Sequence, residues 1–196
     1  MDEYDKLKEH ILKRASLTAE ELNDFCNGFQ PVKIRKRQFI IQPGFIPRHR
    51  YYVVQGCFRA YVIGDEGEEH TIQFAIDDWW ISDYNSYIFQ QPATMFVMAL
   101  EDSIILQIDY DSEQQLKKSN HRIETFFRIL AEHTAAHMAR RVITNLTKTA
   151  EQRYEAFLER YPHIVSKVPQ YALASFLGMT TEYLSKLRNK RVSRKS

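Results

Sequence analysis

The sequence predicts an α+β fold: a jelly roll or barrel of many strands, one long helix, and a small helical module at the C-terminal end. Three observations carry this. From Val32 to about Asp109, short β-branched and aromatic runs alternate with turn residues; from Asn120 to Thr147 there is neither glycine nor proline; after Gln170, two short helical patterns meet at Gly178. With 44% hydrophobic residues over 196 positions, the chain can bury a sizeable core.

The elements follow in order. Tyr4, Leu7, Ile11 and Leu12 have helical spacing, and Ser16 to Glu21 reads as a cap opening a second short helix that Gly28 and Pro31 stop. Strands are expected at Val32–Ile34, Phe39–Ile41, Tyr51–Val54, Phe58–Ile63, His70–Ile76, Met95–Ala99 and Ile104–Ile108. Gly64-Asp65-Glu66-Gly67 tolerates positive φ and should close an antiparallel hairpin. A short helix over Ser112–Lys118 precedes the long one, which Asn120 caps and which runs to Thr147. A further helix spans Ala150 to Tyr161, ending at Pro162, and Val165 to Val168 reads as a short strand.

Along the long helix, Ile123, Phe127, Leu130, Thr134, Met138 and Arg141 form one stripe at spacings of three and four. Such a seam suits a helix of another subunit or the chain's own barrel. Self-association is the preferred expectation, because a helix of about 40 Å overhangs a small barrel.

Composition excludes several classes. No apolar run reaches the length of a membrane span and Met1 to Arg14 is charged, so a soluble cytoplasmic protein is expected. Cys26 and Cys57 alone provide neither a disulfide framework nor a zinc or iron-sulfur ligand set. Charge is unevenly distributed: from Ile164 onward, seven lysines and arginines stand against Glu182 alone, while the rest of the chain carries 20 bases and 24 acids. A basic tail on a mildly acidic body points to a polyanionic partner.

The segment from Gln170 to Asn189 reads as a helix-turn-helix. Leu173, Leu177, Met179, Leu184 and Leu187 are apolar where the helices must face each other, Ala174 is small at closest approach, and Gly178 stands where the turn needs positive φ. Thr180 can cap the second helix. That helix then presents Thr181, Glu182, Tyr183, Ser185, Lys186, Arg188 and Asn189 outward. Entering a major groove N-terminal end first, it would read bases with Thr181, Glu182 and Ser185 or Lys186. Lys190, Arg191, Arg194 and Lys195 would neutralise phosphates.

Together, the strand order, the long helix and this module resemble the Crp/Fnr family of bacterial transcription regulators over essentially the whole chain. Phe39 to Gly44, Tyr51 to Tyr61 and Asp65 to Glu69 are similar to successive motifs of the family's roll, and Trp79-Trp80-Ile81-Ser82-Asp83 is similar to members common in the Bacteroidetes. The resemblance implies a cyclic-nucleotide-binding-like β-roll with its N-terminal helices over 1–118, a dimerisation helix over 119–148, and a winged helix-turn-helix domain over 149–196. It implies a homodimer on palindromic double-stranded DNA, RNA polymerase as a partner, and no enzymatic activity. In the recognition helix Glu182 matches the family pattern and Lys186 approximately, but the family's arginine is replaced by Thr181.

Cyclic-nucleotide binders of this fold hold phosphate with a Gly-Glu pair opening a short helix and an arginine before the next strand. Here Asp77 and Asp78 are expected where the glycine would be, and Pro92 where the arginine would be, so cyclic AMP is not expected to bind and no cofactor is implied. Trp79, Trp80, Tyr84, Tyr87 and Phe89 are candidates for lining a pocket for some other small-molecule effector. His133 and His137 share a helix face, but a metal site there is the lesser reading. The run Lys33 to Arg37 suits an exposed strand face. Two rivals remain: a sensor whose C-terminal module docks a protein, and a cupin-type metal enzyme, for which His49 and His70 are a thin ligand set.

Overall fold

Strand β3 (His49–Gln55) shows why the apolar runs lack a polar face: Tyr51 and Val53 point between two sheets, while Tyr52 and Val54 point outward beneath helices. Sheets covered on both faces carry near-continuous apolar strands. The computed structural model describes residues 3–193. One antiparallel sheet has the order β1 (Gln30–Ile34), β8 (Ser103–Asp109), β3 and β6 (Trp80–Ile81). The other has the order β2 (Phe39–Ile41), β7 (Phe96–Ala99), β4 (Cys57–Ile63) and β5 (Glu69–Ile76).

Between the sheets lie Ile34, Ile41, Phe58, Ala60, Ala75, Val97, Ala99 and Ile105. The outer face of the first sheet is covered by α1 (Glu3–Leu12), α2 (Ala19–Asn27) and the start of α5 (His121–Thr147), through Leu7, Ile11, Phe25, Phe126 and Phe127. Burying each of these side chains contributes roughly 1.5–3 kcal/mol. The outer face of the second sheet is covered by the C-terminal module, with Cys57 and Phe74 packed among Tyr154, Phe157, Ala172, Leu173 and Leu184. Three cores are thus stacked across two sheets.

The β4–β5 hairpin closes as expected: Gly64 N–H donates to Glu68 O at 2.8 Å, and Gly67 takes a φ of +84°. Thr18 caps α2 in a reciprocal capping box with Glu21, and Asn120 caps α5 by accepting from Arg122 N–H at 2.8 Å. Helix α4 (Tyr110–Ser119) begins two residues before its expected start. Two elements went unread in the sequence: β6, only two residues long, and α3 (Tyr84–Phe89), less than two turns long. Neither is long enough to establish a periodicity.

The expected strand at 165–168 does not form. Ile164 and Val168 are buried four residues apart, a helical-turn spacing, and Val168 N–H donates to Ile164 O. Among the described residues no strand follows β8, so the strands of a wing are not found in the C-terminal module.

The stripe on α5 also needs correction, because it faces the chain's own roll rather than a partner. Ile123 and Phe127 are buried against the N-terminal helices, and Leu130 packs against the same core. Thr134 and Met138 line a cavity, and Arg141 donates to the carbonyls of Thr71 and Ile72 on β5. An apolar seam from one face of a helix cannot distinguish a sheet from a second helix as its cover. The face left exposed carries Ala136, Ala139, Val142, Ile143 and Leu146.

At the centre of the first outer core His10 is buried, its Nε2 accepting from Trp80 Nε1 at 3.1 Å, with Tyr52 and Phe126 edge-on. Burial, then the Arg14 charge, push its pKa from 6.5 down to about 4, with Asp78 opposing and Lys13 adding slightly. The folded ring stays neutral where the unfolded one takes a proton, so this group's contribution to stability is whole above pH 6.5 and is lost progressively down to about pH 4. Urea denaturation across that window should show stability falling with pH. His10→Gln, which keeps an acceptor for Trp80 but cannot titrate there, should flatten the slope.

Candidate nucleic-acid interface

Helix α7 (Gln170–Phe176) and α8 (Thr181–Ser193) are joined by a turn that the side chains dictate. Gly178 takes a φ of +64°, and Met179 N–H donates to Ala174 O across the turn. Leu173, Ala174, Leu177, Leu184 and Leu187 are buried where the helices meet. Thr180 Oγ1 accepts from Tyr183 N–H at 3.2 Å, the expected cap. Arg153 of α6 (Ala150–Arg160) clamps the turn from behind, donating to the carbonyls of Leu177 at 2.8 Å, Gly178 at 3.2 Å and Lys148 at 2.8 Å. No local pattern marks Arg153; only the meeting of α6 with the turn gives it this role.

Thr180, Glu182, Tyr183, Lys186, Arg188, Asn189, Lys190 and Arg191 are exposed, and Thr181 and Ser185 are half-buried. All ten candidates therefore lie on α8 or its cap, away from the buried seam. One differs from expectation: Lys190 Nζ pairs with Glu151 of α6 at 3.2 Å, so its charge is partly compensated. Arg194 and Lys195 lie outside the described residues.

The back of the module is held on the roll by α7. Ser175 Oγ accepts from Thr71 N–H at 2.8 Å and donates to Glu69 O at 2.7 Å, joining α7 to the edge strand β5. Phe176 lies 5.3 Å from Phe74, ring centre to ring centre, and beneath the Arg141 guanidinium. Arg59, 1% exposed, binds Thr71 Oγ1 and Glu69 and lies between the rings of Tyr61 and Tyr171. Sequence reading singled out neither Ser175 nor Arg59.

Ser82 and Asp83 open α3, rather than Asp77 and Asp78 as expected. Asp83, fully buried, accepts from Ser86 N–H at 3.2 Å, Thr94 N–H at 2.8 Å and Thr94 Oγ1 at 3.3 Å. Its carboxylate thus caps the first turn of α3 and ties it to the segment before β7. Asp77 instead pairs with Lys6 and accepts from Gly56 N–H, and Asp78 accepts from Tyr52.

The five aromatics expected around one pocket are dispersed. Trp79 and Trp80 line a cavity outside the roll. Tyr87 is buried and donates to Glu113, which also pairs with Arg50 and Lys117. Tyr84 lies against the Arg50 guanidinium, and Phe89 is 71% exposed. Apolar character alone cannot tell which side of a strand or helix such rings occupy.

A family model of the cyclic nucleotide-binding domain matches residues 31–120. The matched stretch covers the roll and α4. No curated protein matches the sequence. Among solved structures, the chain is similar to FixK2 from Bradyrhizobium japonicum, at 15% identity and a TM-score of 0.76, over 85% of this chain and 86% of that one. It is also similar to CLP, a c-di-GMP responsive global regulator from Xanthomonas campestris, at 16% identity and a TM-score of 0.69, over 91% and 93% of the two chains. A chain assigned to the crp/fnr family, from Eubacterium rectale, aligns at 17% identity with a TM-score of 0.68, over 90% and 85%. At such identities the likeness shows the fold: a jelly roll of the cyclic-nucleotide-binding type with helices before and after it.

Ser175→Ala leaves the Thr71 amide without its acceptor, and Thr71 is 2% exposed. A loss of roughly 1–3 kcal/mol is expected. Urea denaturation checks the magnitude, and faster hydrogen exchange at the Thr71 amide, with the interior of β4 unchanged, would locate the loss at this joint.

Proposed function

We propose that this chain is a transcription regulator of the Crp/Fnr type that binds palindromic promoter DNA as a homodimer. The observation that carries this is the state of α8: a complete helix-turn-helix frame holds it, while its basic, hydrogen-bonding face stays exposed even with the module packed on the roll. The regulators of similar fold support the reading. Glu182 and Thr181 or Ser185 read base edges, with Lys186 beside them, while Arg188 and Arg191 meet phosphates. Lys190 joins them once Glu151 releases it. The protein works where its DNA is, in the cytoplasm, with RNA polymerase as partner and without catalysis. Among the described residues no helix is long and apolar enough to cross a membrane.

The dimer forms through α5, on the face opposite the expected stripe. Val142, Ile143 and Leu146 are 57%, 60% and 80% exposed, and with Ala136 and Ala139 they allow close helix approach. Two copies so paired set their α8 helices in successive major grooves, with half-sites about 34 Å apart. The roll does not bind cyclic AMP in this reading, because the buried Asp83 carboxylate at the start of α3 would repel a phosphate placed there.

Gel-shift titration against salt tests the reading: affinity should fall linearly on a log–log scale, and absence of any shift at low ionic strength would remove it. In a randomised site library Glu182→Ala should alter base preference, whereas Arg188→Ala should weaken all sequences alike. Leu146→Asp should turn a sedimenting dimer into a folded monomer. Calorimetric binding of cyclic AMP would overturn the role given to Asp83.

A further inference from the structure

Outside the roll, where α1, β5, α5 and α6 meet, lies a cavity of about 880 Å³. Small-molecule sites span roughly 300–1,000 Å³. Its apolar wall is formed by Trp79, Leu130, Met138, Phe157 and Phe176. Met138 is 41% exposed and has this space in front of it.

The charge of the lining is one-sided: eight lysines and arginines against Glu9, Asp78 and Glu159. Among the described residues only one of the eight, Lys6, has a carboxylate within ion-pair distance. Arg141 and Arg153 donate hydrogen bonds to backbone carbonyls, which leaves their charges uncompensated. Arg14 Nε is buried with no partner. At the α5–α6 side, His133, His137 and Arg140 stand with Arg160, both arginines exposed. Burial first, then the charges of Arg160, Arg140 and His133, hold the His137 pKa below its usual value.

We propose that this cavity binds an amphipathic carboxylate, with its acid group between Arg140 and Arg160 and its apolar body along Trp79, Met138 and Phe157. The occupant would touch both sides of the joint, since Ile72 to Phe74 belong to the sheet and Phe176 and Leu177 to the module. A ligand preferring one arrangement of that joint shifts its population. As the effector site of the regulator proposed above, it rests on that reading; binding measured without DNA separates the two.

The test is calorimetry on the full chain with decanoate and its neutral counterpart decanol. Decanoate should bind, with decanol at least about tenfold weaker, as loss of charge-assisted hydrogen bonds requires. The double variant Arg140→Gln/Arg160→Gln should lose at least about tenfold for decanoate with an unchanged circular-dichroism melt. Met138→Trp, which fills the apolar wall, should weaken both ligands, and the His137 ring pKa followed by NMR should rise on decanoate binding. No binding of decanoate, equal binding of decanol, or indifference to the double variant would each overturn the proposal. So would a cyclic dinucleotide binding where decanoate does not.

Discussion

A sheet with apolar side chains on both faces must be covered on both, and the rest of this molecule follows from that requirement. The first sheet turns Tyr52, Val54, Leu106 and Ile108 outward, and the N-terminal helices with the start of α5 cover them. The second turns Cys57 and Phe74 outward, and the C-terminal module covers those. The module is therefore held where the roll's pleat directs it. Because α7 supplies the covering surface, α8 is left facing water.

The two covers differ in kind. The N-terminal one is dense with rings: Phe25, Phe29, Trp80, Phe126 and Phe127 pack with centroids 5.3–6.3 Å apart around His10 and Tyr52. The C-terminal one mixes ring contacts with a buried arginine, a serine bridge and a nearby water-accessible cavity. Polar contacts at a joint can be exchanged for water at modest net cost, whereas a ring core cannot. A joint of the second kind is one that a ligand's binding energy can compete with.

In and beside the roll, polar groups serve structure. Asp83 satisfies the start of α3, and the buried Glu113 gathers Arg50, Lys117 and Tyr87 into a network in which two cations share one carboxylate. Such a network is costly to break at Glu113, since the Arg50 charge would be left buried and uncompensated.

By itself the sequence determined seven strands, the hairpin at Gly64–Gly67, the cap at Asn120, the helix-turn-helix with Gly178 and Thr180, and which ten residues on or beside α8 lie off the buried seam. Each rests on a local rule: the φ a turn needs, the amide a cap satisfies, or a period within one element. Only the tertiary structure decided which way the α5 stripe faces, that Asp83 rather than Asp77 or Asp78 opens α3, that the five aromatics scatter, and that Arg153, Arg59 and Ser175 form the joint. Those depend on which surfaces meet across distances of 24 to more than 100 residues, as in the Arg153–Leu177 and Ser175–Thr71 bonds. Hydrophobicity states that a face must be buried without naming what buries it.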